Sequence, residues 1–578
     1  MDKILRINVA AAGGPTATVE GLGEYAGLGG RAMTTAVVCK EVPPTCHALG
    51  PENKLVIAPG LMAGSAASTS GRISVGCKSP LTGGIKEANS GGTGGQYIAR
   101  LGYAAIIIEG ERHGTDWYKI IIKSSGVTIE KANDLATLSN YPAVEKLHAQ
   151  YGEKPCCITI GTAGEMRMSN STICFTDPEG RPTRHAARGG VGAVMGSKGI
   201  KAIIVDPSDT KVRQPQNPEA FKDANRAFTE GLRRHPVTGQ GLPTYGTNVL
   251  VNILNEAGGL PTKNFTIGRF DHVNDISGET MMETQTKRGG TITHGCHRGC
   301  VIQCSGICVD KNGTYVSKQP EYETVWAHGA NCGISDLDAI IKMDRLDDDY
   351  GLDTIEMGAA IGVAMEAGVL KWGDAEGAIK LIHEVGKGTP LGRILGAGTA
   401  TTARCFGLER APVVKGQAMP AYDPRSVKGI GVTYATTTQG ADHTAGYSIT
   451  GNILGIGVKA DPLKAEGQVA LSRDLQIATA ALDSTGYCLF VALAILDQAD
   501  TFQAMVDSIN AMYGLKLDGN GVVELGKQIL RQERTFNAAA GFTKAHDRLP
   551  MYLCRETVAP HHSHFDVTDD DLDSLYNF

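Results

Sequence analysis

Residues 294–308 read HGCHRGCVIQCSGIC, with cysteines at positions 296, 300, 304 and 308. An iron–sulfur cluster needs four thiolates that converge on one cube, and three of them commonly come from one short loop. The glycines of this stretch would let such a loop bend around a cluster. A zinc site and simply reduced thiols are the alternatives, although zinc favours two pairs of ligands and no second pair is evident. The stretch predicts a protein built around a metal centre, with an iron–sulfur cluster favoured over zinc.

The size and composition of the chain indicate a globular protein of two or three domains. It has 578 residues, of which 42% are hydrophobic and 20% charged. Its net charge of −6 argues against bulk attraction to nucleic acid or to an anionic membrane. The N-terminus lacks the pattern of a secretory signal, and the longest apolar run, 488–496, is too short to cross a bilayer. We therefore expect a cytoplasmic protein with no nucleic-acid or membrane partner.

The distribution of glycine and apolar residues predicts the domain organisation. The 74 glycines suggest many tight turns, or backbone lying close against a large ligand. Short apolar runs at 104–109, 119–123 and 200–205 alternate with glycine-rich loops, which is typical of strands. Helical spacing follows a predicted N-cap in 335–338 and continues through 375–385, 462–481 and 497–512. No internal repeat is visible. We predict three domains, at residues 1–206, 207–415 and 416–578.

Nine separated segments together resemble the aldehyde ferredoxin oxidoreductase family, the tungsten (sometimes molybdenum) bis-pterin enzymes. In chain order they are 29–32 (GGRA), 70–74 (SGRIS), 88–92 (ANSGG), 184–198 (with RHAARGG and AVMGSK), the cysteine stretch 294–308, 320–324 (PEYET), 348–353 (DDYGLD), 440–443 (GADH) and 483–488 (DSTGYC). The resemblance implies an α+β fold: an N-terminal β-sheet base domain that cradles two pterins, followed by two mainly α-helical domains.

The segments 348–353 and 483–488 form an internal pair of Asp-x-x-Gly loops. A carboxylate can accept two N–H bonds from the amino-pyrimidine edge of a pterin, so two pterins would require two such loops. For a single copy, a turn or helix cap is the alternative. The resemblance implies that Asp348 and Asp483 each hold one pterin, with Asp353 and Leu489 as further cofactor contacts.

The resemblance also implies the ligands of a [4Fe–4S] cluster. Cys296, Cys300 and Cys304 would supply three thiolates, and Cys488 would supply the fourth beside one pterin. The three-residue gap between the first two cysteines departs from the two-residue gap common in the family. Whether Cys308 replaces Cys296 as a cluster ligand is therefore left open.

Basic residues in glycine-rich loops predict binding of phosphate groups. Guanidinium forks and backbone N–H groups together hold phosphates, although each such arginine alone is more often a surface ion-pair partner. The resemblance implies that Arg72, Arg184 and Arg188 contact pterin and cluster, with Arg72 lying between the two.

A magnesium ion that bridges the pterin phosphates is also implied by the resemblance. Its ligands would be Asn89 and the backbone carbonyl of His185, in keeping with the oxygen ligands that Mg²⁺ prefers. Gly91 would give the backbone close access to the phosphate. Ala187 is a further predicted cofactor contact.

Glu323 and His443 are the predicted catalytic pair. Oxidation of an aldehyde to an acid needs a donor that polarises the carbonyl oxygen and a base that accepts a proton. The resemblance implies that both residues lie beside the metal. Glu321 is the competing carboxylate of the same PEYE motif, and Glu323 is preferred.

The predicted reaction is oxidation of an aldehyde to a carboxylic acid by a tungsten or molybdenum bis-pterin enzyme. Electrons would pass through one [4Fe–4S] cluster to ferredoxin or a ferredoxin-like small subunit, because no nicotinamide-binding fingerprint is evident. The alternatives are the same cofactors acting on a 2-hydroxy acid or an aromatic thioester, a non-catalytic iron–sulfur electron-transfer protein, and a radical-SAM enzyme. The sequence does not decide between tungsten and molybdenum, nor whether the protein forms a homodimer.

Overall fold

The N-terminal region contains two six-stranded sheets. A computed structural model describes residues 1–11 and 13–578. The strands of the first sheet are β1 (Lys3–Asn8), β2 (Thr16–Gly21), β3 (Leu55–Pro59), β4 (Ile73–Lys78), β5 (Ile85–Ser90) and β6 (Tyr103–Glu109). Those of the second are β7 (Tyr118–Lys123), β8 (Gly126–Lys131), β9 (Cys156–Thr159), β10 (Ile173–Thr176), β11 (Pro182–Ala186) and β12 (Ile200–Asp206). Helices α1 (Gly30–Glu41), α2 (Gly94–Arg100), α3 (Asn140–Tyr151), α4 (Thr162–Glu165) and α5 (Val191–Ser197) connect these strands.

The two sheets repeat one topology. Their spatial orders are β2-β1-β6-β3-β4-β5 and β8-β7-β12-β9-β10-β11. The β1–β6 and β7–β12 pairs are parallel and the other pairs are antiparallel. The expectation of no internal repeat is thus corrected at the level of the fold. A sheet constrains its sequence only to apolar runs and a few special glycines, so two copies can diverge until their sequences no longer align.

The continuous apolar runs of the central strands follow from burial on both faces. On one face, Ile106 of β6 and Ile203 of β12 belong to a single core that packs the two sheets together. On the other, Ile107 packs with the residues of α1, and Ile204 packs with those of α3. Strands covered on both sides need no polar alternation, which explains why the three runs could be recognised as strands from sequence.

An ionic network anchors the end of α1 to the first sheet. The Glu41 carboxylate accepts hydrogen bonds from Arg6 at 2.7 and 2.8 Å, from Lys54 at 2.7 Å and from Tyr25 at 2.7 Å. Burial alone would raise the pKa of Glu41, but these donors together lower it to about 2.

The remainder of the chain is mainly helical. Its helices are α6 (Pro218–Arg234), α7 (Leu242–Tyr245), α8 (Leu250–Glu256), α9 (Gly278–Arg288), α10 (Tyr322–His328), α11 (Leu337–Tyr350), α12 (Thr354–Glu366), α13 (Ala375–Lys387), α14 (Pro390–Gly396), α15 (Thr399–Cys405), α16 (Lys428–Thr436), α17 (Gln468–Thr485), α18 (Ala492–Ile495), α19 (Ala499–Tyr513), α20 (Gly519–Ala539), α21 (Met551–Arg555) and α22 (Asp569–Asp573). Its strands form a three-stranded sheet, β13 (Thr291–His294), β14 (Ser305–Val309) and β15 (Tyr315–Lys318), and a two-stranded one, β16 (Val413–Val414) and β17 (Gln417–Ala418). None of the helices described is both long and apolar enough to cross a membrane.

The predicted helices are present, with shifted ends. Asp336 caps α11, its side chain accepting from the N–H of Ala339. Helix α13 continues past Gly386 and stops at Gly388, whose left-handed backbone ends it. Helix α17 begins six residues later than predicted and runs on to Gly486, also left-handed. The domain boundaries at 206 and 415 stay predictions.

Candidate functional site

A cavity of about 340 Å³ lies between the sheets and the helical region. It opens where strands β5 and β11, the outermost of their sheets, contact each other. The predicted site residues that line it are Arg72, Asn89, Gly91, Arg184, His185, Ala187, Arg188, Cys296, Cys304, Glu323, Asp348, Asp353, His443, Asp483, Cys488 and Leu489. Cys300 is buried beside them. The fold thus gathers side chains from distant segments at one place, while their roles stay predictions.

The two Asp-x-x-Gly loops are attached to equivalent positions of the two sheets. The N–H of Arg72, just before β4, donates to the carbonyl of Gly486 at 3.0 Å. The N–H of Thr172, just before β10, donates to the carbonyl of Gly351 at 2.9 Å. The helical region therefore supplies one such segment to each sheet. Its aspartate is in the last turn of a helix, Asp483 in α17 and Asp348 in α11.

The equivalence extends to the last residue of each loop. The N–H of Cys488 donates to the carbonyl of Thr69 at 3.0 Å, and that of Asp353 to Asn170 at 3.0 Å. The two halves thus place a thiol and a carboxylate at matching positions. Asp353 also caps α12, accepting from the N–H of Ile355 at 3.0 Å.

Asn89 and His185 occupy equivalent positions on the outermost strands. Asn89 lies opposite Ser74, the second residue of β4, and His185 lies opposite Cys174, the second residue of β10. Each contacts the residue that precedes the neighbouring strand: Arg72 donates from Nε to Asn89 Oδ1 at 2.6 Å, and Thr172 Oγ1 bonds His185 Nδ1 at 2.7 Å.

The cysteine loop is fastened to the first sheet. The N–H of Gly92 donates to the carbonyl of Cys296 at 3.0 Å, and the N–H of Thr69 donates to Gly299 at 2.9 Å. A Cβ on Gly91 would lie 3.0 Å from the Cys296 sulfur, closer than ordinary contact, so glycine here favours the close approach of the strand end and the loop.

Four thiols face one another in this corner of the cavity. Contact between Cys296 and Cys300 lowers the pKa of Cys296 and raises that of Cys300, and the charges of Cys304 and Cys488 raise the latter further. In the described part of the chain no three His, Cys, Asp or Glu side chains converge closely enough to hold a single ion. Cys308 instead points into the core, 3.9 Å from the Met281 sulfur.

Three buried arginines give the cavity positive charge. Arg188 is held by Asp353 at 3.1 Å and by the carbonyls of Ala418 and Ala441, both at 2.7 Å. Arg184 donates to Ser305 at 2.9 Å, while its Nε is buried without a partner. Burial acts to lower the pKa of Arg72, but the charges of Cys488 and Cys296 are the strongest of the influences that raise it.

The two loop aspartates lie in different electrostatic surroundings. Lys318 Nζ lies 2.8 Å from Asp348 Oδ2, and His185 Nε2 lies 3.2 Å from Oδ1. Burial would raise the pKa of Asp348, but Lys318 and the hydrogen-bonding neighbour His185 hold it below its usual range. The nearest ion-pair partner of Asp483 in the described part of the chain is Arg31 at 3.6 Å, and Arg72 also acts to lower its pKa. Burial, reinforced by the nearby Glu87, raises the pKa of Asp483 well above its usual range.

Glu323 and His443 meet at the edge of the cavity. The distance from His443 Nε2 to Glu323 Oε1 is 3.1 Å, and Glu323 Oε2 accepts from the N–H of Ala421 at 3.0 Å. Burial raises the pKa of Glu323, against the opposing effect of His443. The rings of Tyr422 and Tyr447 lie 5.8 and 6.0 Å from the imidazole.

Glu321, the competing carboxylate, also lines the cavity but on the cysteine side. Its Oε2 accepts a hydrogen bond from the hydroxyl of Thr247 at 2.7 Å. Burial raises the pKa of Glu321, against the opposing effect of Arg184.

Sequence reasoning missed several residues that line the cavity. They include Arg31, Lys86, Lys318, Tyr422, Asp442 and Tyr447. Arg31 and Asp442 lie inside two of the nine segments that carry the resemblance, 29–32 and 440–443, and this location could have identified them as candidate site residues. Lys318 gave none, because it is on strand β15 whereas its partners Asp344 and Asp348 are on helix α11.

Comparison with known families and proteins gives one consistent result. Residues 4–207 match "Aldehyde ferredoxin oxidoreductase, N-terminal domain", and residues 223–578 match "Aldehyde ferredoxin oxidoreductase, domains 2 & 3". The chain is 36% identical over 550 residues to the tungsten-containing aldehyde ferredoxin oxidoreductase of Pyrococcus furiosus, covering 92% of this chain and 87% of the relative. The Thermococcus kodakarensis protein of that name is 36% identical over 587 residues, covering 96% and 92%.

More distant similarities extend to two other oxidoreductases. The WOR-like subunit of aliphatic sulfonate oxidoreductase from Pyrococcus furiosus is 27% identical over 463 residues, covering 72% of this chain and 70% of that protein. Among solved structures, the active site complex BamBC of benzoyl coenzyme A reductase, in complex with 1,5 dienoyl-CoA, superimposes with a TM-score of 0.82. That match covers 100% of this chain and 93% of the other at 19% identity, so it speaks for the fold alone.

Proposed function

The chain belongs to the aldehyde ferredoxin oxidoreductase family, and we propose that it oxidises an aldehyde to a carboxylic acid with a tungsten–pterin cofactor. The resemblance inferred from the nine segments is thereby confirmed, as is the predicted α+β architecture. The observation that carries the proposed reaction is the Glu323–His443 pair at the edge of a cavity enclosed by two equivalent half-sites.

The duplicated cradle fits a cofactor with two similar halves. Each sheet contributes an outermost strand to the cavity and receives one aspartate loop, so two pterins would meet matching surroundings. The unpartnered Nε of Arg184 and the close backbone at Gly91 suit phosphate groups. Asn89 and the backbone carbonyl of His185 would hold a Mg²⁺ ion between those phosphates, and their equivalent strand positions support that assignment.

The pterin-facing aspartates would act differently from one another. Asp348 is held ionised by Lys318 and His185, so its carboxylate oxygens accept hydrogen bonds. The raised pKa of Asp483 favours its protonated form, which can both donate and accept. Leu489 and Ala187 would complete the cofactor contacts from the lining of the cavity.

We assign Cys296, Cys300, Cys304 and Cys488 as ligands of a [4Fe–4S] cluster. Their mutual influence on one another's pKa and the burial of Cys308 in the core beside Met281 support this set. Arg298 and Gln303, in the loop that carries the cysteines, are exposed. The cluster would therefore lie near the surface, where ferredoxin or a ferredoxin-like small subunit could take the electrons.

The proposed reaction is RCHO + H₂O → RCOOH + 2H⁺ + 2e⁻. When bound, the tungsten–pterin group supplies the two-electron acceptor. The N–H at Nε2 of His443 is placed to donate to the carbonyl oxygen as negative charge develops there. Ala421 already donates to Glu323 Oε2, so Oε1, which faces His443 Nε2 at 3.1 Å, would accept the proton of the attacking water once Nε2 donates to the substrate instead. The raised pKa makes Glu323 a stronger base than an exposed glutamate.

Metal and pterin analysis of the anaerobically purified protein, followed by an aldehyde assay with viologen dye, tests the proposal. We expect tungsten, pterin and iron together with dye reduction. Iron with neither tungsten nor molybdenum would favour a non-catalytic electron-transfer protein. Turnover of 2-hydroxy acids or aromatic thioesters, but of no aldehyde, would replace the substrate and keep the cofactors.

The variants Glu323→Gln and Glu321→Gln test the catalytic assignment. Loss of a general base costs about 10²–10⁴-fold in rate, so Glu323→Gln should lose turnover by that factor while keeping tungsten and iron. If Glu321→Gln shows the larger loss, the two glutamates exchange roles.

A further inference from the structure

The cysteine loop carries a buried histidine that the proposed mechanism does not use. The gap between Cys296 and Cys300 is one residue longer than the gap common in the family, and His297 is its first residue. His297 is 2% exposed, whereas its neighbour Arg298 is exposed. Its Nδ1 atom lies 3.2 Å from the sulfur of Cys296. The imidazole therefore lies against one of the four proposed cluster ligands instead of facing water.

The position of this imidazole is fixed by the first sheet. A Cβ on Gly71 would lie 2.5 Å from Cδ2 of His297, so the ring occupies space that only a glycine leaves free. The backbone on each side of His297 is anchored as well, because the carbonyls of Cys296 and Gly299 accept hydrogen bonds from segments next to β5 and β4. The ring and the sulfur are thus held together by the fold as well as by their adjacency in sequence.

The hydrogen bond has one possible direction when Cys296 binds iron. A ligating cysteine is a thiolate, which accepts hydrogen bonds and has no proton to donate. The proton must then be on Nδ1 of His297. Its other ring nitrogen, Nε2, is buried and has no hydrogen-bond partner among the described residues, so the bond to the sulfur alone selects the tautomer.

His297 differs in kind from the backbone donors around the four sulfur atoms. Cys300, for example, accepts from the backbone N–H of Gln303 at 3.4 Å. Within the described part of the chain, His297 supplies the one side-chain nitrogen that hydrogen-bonds a sulfur of this set. A substitution can therefore remove this donor and leave the backbone donors in place.

We propose that His297 tunes the electron-transfer centre: its Nδ1–H group stabilises the reduced form of the cluster through the sulfur of Cys296. The inference rests on the cluster assigned under the proposed function and deepens it. Reduction of the cluster adds one electron and no proton, and the added negative charge makes its sulfur atoms better hydrogen-bond acceptors. A hydrogen bond that strengthens on reduction raises the reduction potential of the cluster.

Redox titration of the purified holoenzyme, followed by electron paramagnetic resonance, tests the inference without turnover. In His297→Phe a ring can still lie beside Gly71, but it has no N–H group. The equilibrium constant for cluster reduction should fall by up to about tenfold, which is about 59 mV for a one-electron couple. His297→Asn places an amide N–H near the position of Nδ1 and should restore most of the wild-type potential.

His294→Phe is the matched control. His294 belongs to the same stretch, but its Nε2 faces Glu179 Oε2 at 2.8 Å instead of a thiol. This variant should keep the wild-type potential. An unchanged potential in His297→Phe, or equal shifts in the two Phe variants, would overturn the inference.

A direct readout covers the case in which His297→Phe does not retain iron. Wild-type protein labelled with ¹⁵N at histidine should show one weakly coupled nitrogen in the pulsed electron paramagnetic resonance spectrum of the reduced cluster, and labelled His297→Asn should lack it. No such coupling in the wild type would overturn the hydrogen bond. Both measurements use the cluster alone, so a holoenzyme that oxidises no aldehyde would overturn the proposed reaction and leave this inference standing. A protein without a [4Fe–4S] cluster would overturn both.

Discussion

Replacement of Gly60 by alanine tests the attachment of the Cys488 loop to the first sheet. A Cβ at this position would lie 2.1 Å from the Cα and N atoms of Gly486, where ordinary contact begins at 3.4 Å. The backbone φ of Gly60 is not in the left-handed region, so the contact is the only source of strain. Gly486 would therefore have to retreat by about 1.3 Å, and overpacking of this kind costs about 1–3 kcal/mol.

The displacement should be transmitted to the proposed cluster, because Cys488 follows Gly486 by two residues. A misplacement of about 1 Å can reduce catalysis about 10²-fold. We expect Gly60→Ala to lose turnover by at least that factor and to have less iron and an altered electron paramagnetic resonance spectrum after reduction. Gly161→Ala is the counterpart in the second sheet, where a Cβ would lie 2.2 Å from the Tyr350 carbonyl oxygen.

Because the second loop carries Asp353 in place of the cysteine, Gly161→Ala should lose turnover while keeping a normal cluster spectrum. Gly21→Ala, at a glycine with no atom within 4 Å, is the control and should match the wild type in every assay. A Gly60→Ala enzyme with wild-type spectrum, iron content and turnover would refute the reasoning.

Three further predictions follow from single side chains. Cys488→Ala should lose cluster iron and dye-linked activity together, whereas Cys308→Ala should keep both. Full iron content in Cys488→Ala would exclude Cys488 as a cluster ligand. Arg188→Lys should lower the free energy of unfolding by about 1–3 kcal/mol in urea titration, because an ammonium group cannot reach all three acceptors of the guanidinium; an unchanged midpoint would argue against this clamp. In the folded protein Glu41 has a pKa of about 2, below the usual value of about 4.3. Its ionised form therefore stabilises the fold at a pH above about 4.3, and this contribution is lost as the pH falls from about 4.3 to about 2. The difference in melting temperature between wild type and Glu41→Gln should accordingly shrink between about pH 5 and pH 2, and a constant difference would contradict the assignment.

Sequence reasoning predicted the features that reside in short segments. The apolar runs at 104–109 and 200–205 were recognisable as strands because both faces of each strand are buried. The paired loops at 348–353 and 483–488 were recognisable because a left-handed glycine and an adjacent polar side chain leave a local pattern. Local signals of this kind survive divergence, since the backbone conformation itself demands the residue.

Features that depend on tertiary contacts could not be predicted in this way. Arg31 on α1 donates two hydrogen bonds to Glu533 on α20, and 502 positions separate the two. No local pattern reveals which of 61 acidic residues will face a buried arginine. The repeated sheet topology was hidden for a different reason, because two copies of one sheet can share hydrogen-bond geometry with little identity.

The two half-sites differ at positions that bear on the proposed electron transfer. At matching positions the first half has Arg72 and Cys488, and the second has Thr172 and Asp353. A cluster held by Cys488 would therefore lie on the side of the first sheet, with Arg72 between it and the nearer pterin. The second pterin would have no such route, since a carboxylate and a hydroxyl replace the thiol and the guanidinium. Two half-sites with the same backbone arrangement would thus hold the cofactor between them, and the two differences at equivalent positions would determine the side from which electrons leave.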